Sequence, residues 1–577
     1  METPKCLEKG MVQKTWKVKK KLSKKPATRL EAIIDVLLKN RGLIKQKQQE
    51  SFFKPIHPHK ISFSSIGIKT GQIQKALKRL KRAFDKEELI VIYGDYDADG
   101  ITATAVLWEA LYSLGFKVMP FLPHRENHGY GLKKEGIDAA IKKYGKPELI
   151  ITVDNGIVAF EGLDYCKELG IDVIITDHHA AKKEKNGKET YPEACAIIHS
   201  IKTAGAGVAY LFTKEVLKHF KPDHSIQTLD SFLELTTIGT VADIIPLLDI
   251  NRSIVKTGLE LLTRTQRPGL RALLTEAGIN ANTALSTYHI GFVVAPRLNA
   301  MGRLDNCFDS LRLLCTQDEQ RAFRLALDLG DVNKQRQDLT FNSVTKALKT
   351  HKNKHEDKKV IITASKDYSP GVIGLVAGKL VEQFYKPTIV IAETGDVAKG
   401  SARSVWGVNI IEMLRTFEED FLELGGHPMA AGFTIATKKI NELTEKMERL
   451  AEEAIEDHLL KPVLEAETEI ELSDITLDLY KAVETFAPFG AGNPHPVFIT
   501  RNVKVKNVQT VGKDKRHLKL QVAKDSSPIY EAMFFSAGLW TESLKPGNTV
   551  DLAYQITLNE WNGNTKLQLV VKDIRVS

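Results

Sequence analysis

The sequence predicts an α/β protein: a parallel-sheet domain, a helical linker, a second and smaller α/β domain, and a β-barrel at the C-terminal end. Three observations carry this. Short apolar runs rich in β-branched residues recur between Leu89 and Thr176, separated by helical stretches, which is the pattern of strands buried on both faces. The same alternation restarts at Val360. Beyond about residue 465 the runs become short, with apolar and polar residues alternating between turn signals, as in antiparallel strands with one wet face.

Taken in order, residues 1–60 read as a basic, partly helical lead-in. Its stretch from Lys14 to Lys25 holds Lys17, Lys19, Lys20, Lys21 and Lys24, and such a run at a terminus is expected to be a mobile, solvated tail. Residues 61–308 form the first α/β domain, with Leu89-Ile90-Val91-Ile92, Leu149-Ile150-Ile151-Thr152-Val153 and Val173-Ile174-Ile175-Thr176 as strands. From about 251 the spacing is mostly helical, interrupted by an irregular stretch at Ala295-Pro296-Arg297-Leu298-Asn299. Residues 309–349 are the helical linker, and the polar run His351 to Asp357 reads as a loop. Residues 350–464 form the second α/β domain, with strands Val360-Ile361-Ile362-Thr363 and Thr388-Ile389-Val390-Ile391. Residues 465–577 hold alternating runs such as Val503-Lys504-Val505 and His517-Leu518-Lys519-Leu520, and Asn562-Gly563 reads as a tight hairpin turn. Together these predict a small Greek-key barrel of the oligonucleotide-binding type.

At 577 residues, of which 43% are hydrophobic, the chain is expected to hold three to four domains, each with its own core. No apolar run is long enough to span a bilayer, and the N-terminus lacks the pattern of a secretory leader. Five cysteines, an odd number in no close pairs, point to free thiols in a reducing cytoplasm. The net charge of +9 and pI near 8.9 favour an anionic partner, nucleic acid first, although a merely basic protein would share them.

The chemistry lies at the strand ends. Asp95-Tyr96-Asp97-Ala98-Asp99-Gly100, Asp154-Asn155-Gly156 and Asp177-His178-His179 each follow one of the apolar runs. Functional residues of open parallel sheets gather at the carboxyl ends of strands. Three acidic strand ends in one crevice repel strongly, and divalent metal ions are the natural counter-charge. Asp95, Asp97, Asp99 and Gly100 resemble half of an EF-hand loop, but its twelfth position is Val106 where a bidentate Glu is required. Adjacent histidines point different ways on an extended or turning backbone, so one can bind metal while the other faces substrate. Asp243 in Gly239-Thr240-Val241-Ala242-Asp243 is a weak fourth signal, since an Asp at a helix end is often a cap. Hard oxygen donors with a minority of imidazole suit Mn2+ or Mg2+. Two such ions about 4 Å apart clamp a phosphate, activate water and stabilise the leaving oxygen, which predicts phosphoester hydrolysis. No Gly-x-Gly-x-x-Gly follows the first strand, which disfavours a dehydrogenase.

These motifs resemble the DHH superfamily of phosphoesterases, named for the triplet standing here as Asp177-His178-His179. Within it the chain is similar, from about residue 60 to its end, to the bacterial exonucleases specific for single-stranded DNA. Further motifs occur in the expected order: Ala295-Pro296-Arg297-Leu298-Asn299-Ala300-Met301-Gly302-Arg303, Pro370-Gly371-Val372-Ile373-Gly374, Lys399-Gly400-Ser401-Ala402-Arg403-Ser404 and Gly425-Gly426-His427-Pro428-Met429-Ala430-Ala431-Gly432. The last three resemble the DHHA1 domain, and Phe489-Gly490-Ala491-Gly492-Asn493-Pro494 resembles the start of the family's OB-fold. The resemblance implies a two-metal site held by Asp97, Asp99, Asp154, His178 and Asp243, with Asp154 bridging. Many members carry a ligand histidine where Tyr93 stands here, and Asp95 is expected to substitute for it. His179 is expected to contact the scissile phosphate or act as the acid, with Asp177 orienting a neighbour. Arg297, Asn299, Arg303, Ser401, Arg403 and the Gly425-Gly426-His427 turn are expected to hold DNA phosphates. For Arg297 and Arg303 the competing reading is an ion pair between helices. In the barrel, Lys513, Lys515, Arg516, Phe534, Phe535 and Trp561 are candidate DNA contacts, each aromatic being more often core than stacking platform.

Two positions depart from the pattern. Tyr368-Ser369 stands where relatives usually carry Trp-His, and His199-Ser200 where Asn-Pro is common. The implied activity is a 5′-to-3′ single-stranded-DNA exonuclease releasing 5′-mononucleotides, acting in DNA repair and recombination. A strand-threading cleft between the two α/β domains is expected, with a single-strand-binding protein or a helicase as partner and a monomeric chain. Alternatives are a phosphodiesterase of short oligonucleotides or cyclic dinucleotides, and a non-catalytic single-strand-binding scaffold. The scaffold class loses its metal ligands, and they are present here.

Overall fold

A computed structural model describes every residue except 1–13, 23–27, 125–126, 130, 185, 224, 282, 355–356, 513–514, 526, 562–563 and 577. The chain folds as two compact units. One comprises Lys47–Arg336 with Pro488–Pro494, and the other Met1–Gln46, Gln337–Ala487 and His495–Ser577.

The first unit is built on a parallel sheet of five strands. Across the sheet they run Val118–Phe121, Ile90–Tyr93, Leu149–Val153, Asp172–Asp177 and Ala196–His199. Successive side chains of a strand point to opposite faces, and both faces are covered. Ile90, Ile92, Leu149, Ile151 and Ile174 pack into one core with the helices Ala98–Ser113 and Gly205–Phe220. Val91, Tyr93, Ile150, Val173 and Ile175 pack into the other with Lys134–Tyr144 and Phe160–Glu168. This double burial is why the strands read as unbroken apolar runs. In chain order the sheet runs 2-1-3-4-5, so its direction of winding reverses between Ile90–Tyr93 and Leu149–Val153. That switch point opens a crevice above the strand ends.

Segment 47–61 is strapped onto this unit through its carbonyls. Arg252 is buried, lies 3.6 Å from the Phe52 ring centroid and donates to Phe52 O at 2.7 Å. Lys256 donates to Phe53 O at 2.6 Å, and Lys214 donates to Ile61 O. The stretch expected to be irregular at Ala295–Asn299 is helical: a π turn, Ile290–Val294, runs into the helix Ala295–Leu304. Pro296 sits in the first turn of that helix, where its missing N–H costs least, and the π turn accommodates the ring. The long helix Glu319–Lys354 also continues through most of the polar run expected to be a loop.

The second unit holds a mixed sheet in the order Phe421–His427, Ala430–Ala436, Val397–Arg403, Thr388–Glu393 and Ile361–Ser365, with the last pair parallel. Its barrel closes five strands: Phe498–Val511, His517–Ala523, Tyr530–Phe534, Asn564–Val576 and Thr549–Trp561, the last pairing back onto the first. Trp561 and Asn564 are paired across the final hairpin; its expected turn residues Asn562 and Gly563 lie outside the described residues. Tyr368 is buried and shares a hydrogen bond of 3.0 Å with Thr363 Oγ1 of the strand Ile361–Ser365.

The basic lead-in is not simply a solvated tail. Thr15–Val18 is a strand paired in parallel with Val463–Ala466. Trp16 anchors it, donating to Asp573 at 2.7 Å with the guanidinium groups of Arg575 and Arg501 at 4.4 and 5.3 Å from its ring. Lys19 pairs with Glu465 at 3.2 Å. Lys17 is on the exposed side of that strand and Lys19 follows its end, while Lys24 lies outside the described residues. Trp16→Ala is expected to destabilise this unit by about 1–3 kcal/mol and to speed proteolysis before residue 29. Urea unfolding and limited proteolysis check this, and unchanged values for both would refute the anchor.

Candidate metal centre

The centre assembles at the switch point from three strand ends and two helix ends. Asp95 follows Ile90–Tyr93 and is buried, accepting from Tyr96 N–H at 2.7 Å. Asp97 caps the helix Ala98–Ser113, accepting from the amides of Asp99 and Gly100 at 3.0 Å each. Asp99, two residues on in the first turn, accepts from Gly205 and Ala206 N–H at 2.7 and 2.9 Å. Those amides open the helix Gly205–Phe220, so both carboxylates lie at positive helix ends. Asp154 leaves its strand at φ +61°, in the left-handed region, which Asp adopts more readily than most residues. Asp243 caps the C-terminal end of the helix Ile226–Ala242.

His178 closes the group. Its Nε2 lies 3.0 Å from Asp154 Oδ1, 3.6 Å from Asp243 Oδ2 and 3.8 Å from Asp99 Oδ2. Three overlapping donor sets result, each within 4.8 Å: Asp95, Asp97 and Asp154; Asp99, His178 and Asp243; Asp154, His178 and His179. Asp154 Oδ1 is buried and accepts no hydrogen bond. A buried anionic oxygen left this way is costly, and a shared cation satisfies it. The oxygen-rich donor set with imidazole fits a hard divalent ion.

The electrostatics agree. Burial and the neighbouring Asp97 push the Asp95 carboxyl up to about 8. Burial and the Asp243 and Asp97 charges hold Asp99 well above the usual range, and burial with Asp99 does the same to Asp154. Asp243 is raised to about 7 by burial and Asp97. Burial and then His179 depress His178 to about 4, leaving its lone pair available. Burial alone would lower His179 as well, but its Nδ1 contact with Asp177 Oδ1 at 2.8 Å outweighs this and raises it to about 9. Asp177 is buried. Burial pushes it up, yet the bond and charge of His179 and the amide of Ile157 hold it below the usual range. Asp177 also accepts from the amides of His178 and His179, which fixes the position of the pair.

Tyr93 faces the other core, its hydroxyl on Gly131 O at 3.3 Å, while Asp95 takes a place in the donor set. Asn299 Oδ1 accepts from Ala98 N–H at 2.7 Å and so braces the acidic turn. Arg297 is committed to Glu276 at 2.6 Å and to Val293 O at 3.0 Å, which is the competing ion-pair reading. In the second unit, Arg403 donates to Ser401 Oγ at 3.1 Å and Ala402 O at 2.8 Å, near Gly374. Gly425, Gly426 and His427 form the end of an exposed edge strand rather than a turn, and the hairpin bends at Pro428-Met429. Phe534 is buried and Phe535 is 52% exposed. Arg516 lies 5.7 Å from the Phe341 ring. Lys513 lies outside the described residues.

Three supports escaped the sequence reading. His199 Nε2 bonds the carbonyl of His179 at 2.7 Å, and Ser200 donates to Ile66 O at 2.7 Å, so the departure from Asn-Pro still braces the strand end. The Phe489–Pro494 loop packs beside the segment after Asp243: Leu247 N–H donates to Ala491 O at 2.7 Å, and a Cβ at Gly490 would meet Leu247 at 2.7 Å. Gly239 lets two helices touch, because a Cβ there would fall on Asp99 Oδ1. Among these, only the glycines left a signal in the sequence.

Gly239→Ala is expected to lower manganese affinity and cost about 1–3 kcal/mol of stability. Calorimetric titration and thermal melting check both, and native affinity would refute the close packing. The raised carboxyl values also have a sign. Folded-state values above the unfolded ones mean that the metal-free protein loses stability as pH rises toward 7 to 8. Protons compete with the ion over the same range, so manganese affinity and the metal-induced rise in Tm are expected to grow between about pH 6 and 8. A flat titration series would contradict this.

Three family profiles match in order: the DHH family N-terminal domain over residues 89–240, the DHHA1 domain over 357–453 and the RecJ OB domain over 466–573. The single-stranded-DNA-specific exonuclease RecJ of Bacillus subtilis is 36% identical over 509 residues, 88% of this chain and 63% of its own length. The RecJ of Haemophilus influenzae is 32% identical over 528 residues, 86% of this chain and 90% of that protein. The crystal structure of Thermus thermophilus RecJ in complex with Mn2+ superimposes with a TM-score of 0.78 at 26% identity, covering 97% of this chain and 79% of that one. The chain belongs to the RecJ family of single-stranded-DNA-specific exonucleases.

Proposed function

We propose that the chain is a metal-dependent exonuclease that hydrolyses single-stranded DNA from its 5′ end and releases 5′-mononucleotides. The observation that carries this is the pair of donor sets joined through Asp154 and His178, with an unmatched buried oxygen between them. Asp95, Asp97 and Asp154 would hold one Mn2+ or Mg2+, and Asp99, His178 and Asp243 the second, with Asp154 bridging. Two such ions, when bound, lower the pKa of water and stabilise charge on the phosphate and the leaving oxygen.

The protein's own groups do the rest. His179, protonated on its contact with Asp177, offers a proton or a charged hydrogen bond to the scissile phosphate. Its main chain is held by His199 and its ring by Asp177, so the donor is fixed in place. Arg303, Ser401, Arg403, Gly425, Gly426 and His427 are proposed to contact the backbone phosphates of the strand. For Arg297 that role competes with its ion pair to Glu276, and Asn299 acts by bracing the acidic turn. Phe535, Lys515 and Arg516 are proposed to track bases and backbone from the barrel.

Polarity and a role in DNA repair and recombination rest on the family. We further propose the division 1–60, 61–308, 309–349, 350–464 and 465–577, a monomeric chain, and a single-strand-binding protein or helicase as partner. Cytoplasmic action is supported by the free thiols of Cys166, Cys195, Cys307 and Cys315. Among the described residues, no helix is long and apolar enough to cross a membrane.

The test is digestion of 5′-phosphorylated, 3′-labelled single-stranded DNA with manganese, beside Asp154→Ala. The native chain is expected to shorten the DNA progressively from its 5′ end, and the variant to lose at least about 10²-fold in rate. Tight binding without cleavage would replace this reading by a scaffold. Cleavage confined to very short oligomers would replace it by a small-substrate phosphodiesterase.

A further inference from the structure

A second group of metal-type donors comes together among the described residues, formed by His57, His59 and Asp230. It belongs to the same unit as the acidic centre but not to that centre. His57-Pro58-His59 is a tight turn: Pro58 is buried and opens the short 3-10 helix Pro58–Lys60, with His57 as its cap. The turn sets the two imidazoles side by side, their centroids 4.0 Å apart at 40°. Asp230 comes from the first turns of the helix Ile226–Ala242. One nitrogen of each ring and one carboxylate oxygen lie within 4.8 Å of one another.

Two atoms of this group are shielded from solvent and make no hydrogen bond: His59 Nδ1 and Asp230 Oδ1. A desolvated polar atom without a partner costs about 1–3 kcal/mol, and one ion between the three side chains would satisfy both. The cations near the group are Lys60 and Lys214. The Lys214 ammonium is turned to the carbonyls of His59 and Ile61, so it is occupied by the main chain. Two imidazoles and one carboxylate form a borderline donor set, unlike the oxygen-rich acidic centre. Such a set selects zinc-class ions over Mg2+ or Mn2+.

We propose that His57, His59 and Asp230 bind one zinc-class transition-metal ion that pins segment 47–61 to the helix Ile226–Ala242. Asp243 lies at the other end of that helix, about 20 Å away at 1.5 Å per residue. The ion is therefore a clamp on the helix that presents a catalytic carboxylate, and not part of the reaction.

The experiment uses the full chain, stripped with a chelator and dialysed against zinc in excess magnesium, with bound zinc counted by mass spectrometry. The native chain is expected to retain one zinc per chain more than His59→Gln or Asp230→Asn. The zinc-induced rise in Tm should shrink in both variants while the manganese-induced rise persists. Equal zinc counts and equal zinc-induced shifts in all three proteins would overturn the site. Melting of each variant in chelator reports whether it folds, and His57→Gln gives the same comparison should either variant fail.

Discussion

Five aspartates gathered in one crevice, three of them buried, are the constraint around which the first unit is arranged. Left to Coulomb repulsion they would separate or take up protons, and the raised values of Asp95, Asp99, Asp154 and Asp243 record burial first and that repulsion second. The fold offsets it with backbone dipoles. Asp97 takes the first amides of one helix and Asp99 those of another, so the charges face two positive helix ends before any ion arrives. Asp154 keeps a buried oxygen without a hydrogen bond, and it stands between the donor sets.

The histidine pair shows how one dipeptide is divided into two chemistries. His178 sits among carboxylates, yet burial and its charged neighbour keep it neutral, as a metal ligand must be. His179 is driven the other way by a buried carboxylate of its own. The difference comes from Asp177, whose oxygens take the amides of Ile157, His178 and His179 together with the His179 ring. A single residue thus sets the geometry of the loop and the charge of His179.

Glycines mark where this construction is tightest. At Gly100 a Cβ would press on the Asp95 backbone at 2.7 Å, and at Gly205 it would strike Asp154. At Gly239 it would strike Asp99. These positions are small so that helices and strand ends can bring carboxylates close enough to share ions. The loop Phe489–Pro494 follows the same logic, using Gly490 to lie against Leu247 beyond Asp243. A motif that reads in sequence as part of the barrel therefore also buttresses the metal centre.

The sequence by itself determined the layers, the strand-end location of the chemistry and most of the donors. Runs such as Leu149–Val153 can only be buried on both faces, and an acidic turn after each fixes where charge must gather. It could not decide what depends on distant partners. The Lys17 to Lys21 run looks like a mobile tail until Trp16 meets Asp573 and Arg575 from the other end of the chain. Ala295–Asn299 looks irregular because a π turn, which has no sequence signature, absorbs Pro296. Arg297 looks like a phosphate ligand until Glu276 is placed beside it. Periodicity and residue type are local and survive in the sequence. Hydrogen-bond partners, ion pairs and the switch point are set by which strands become neighbours, and that is decided only when the chain packs.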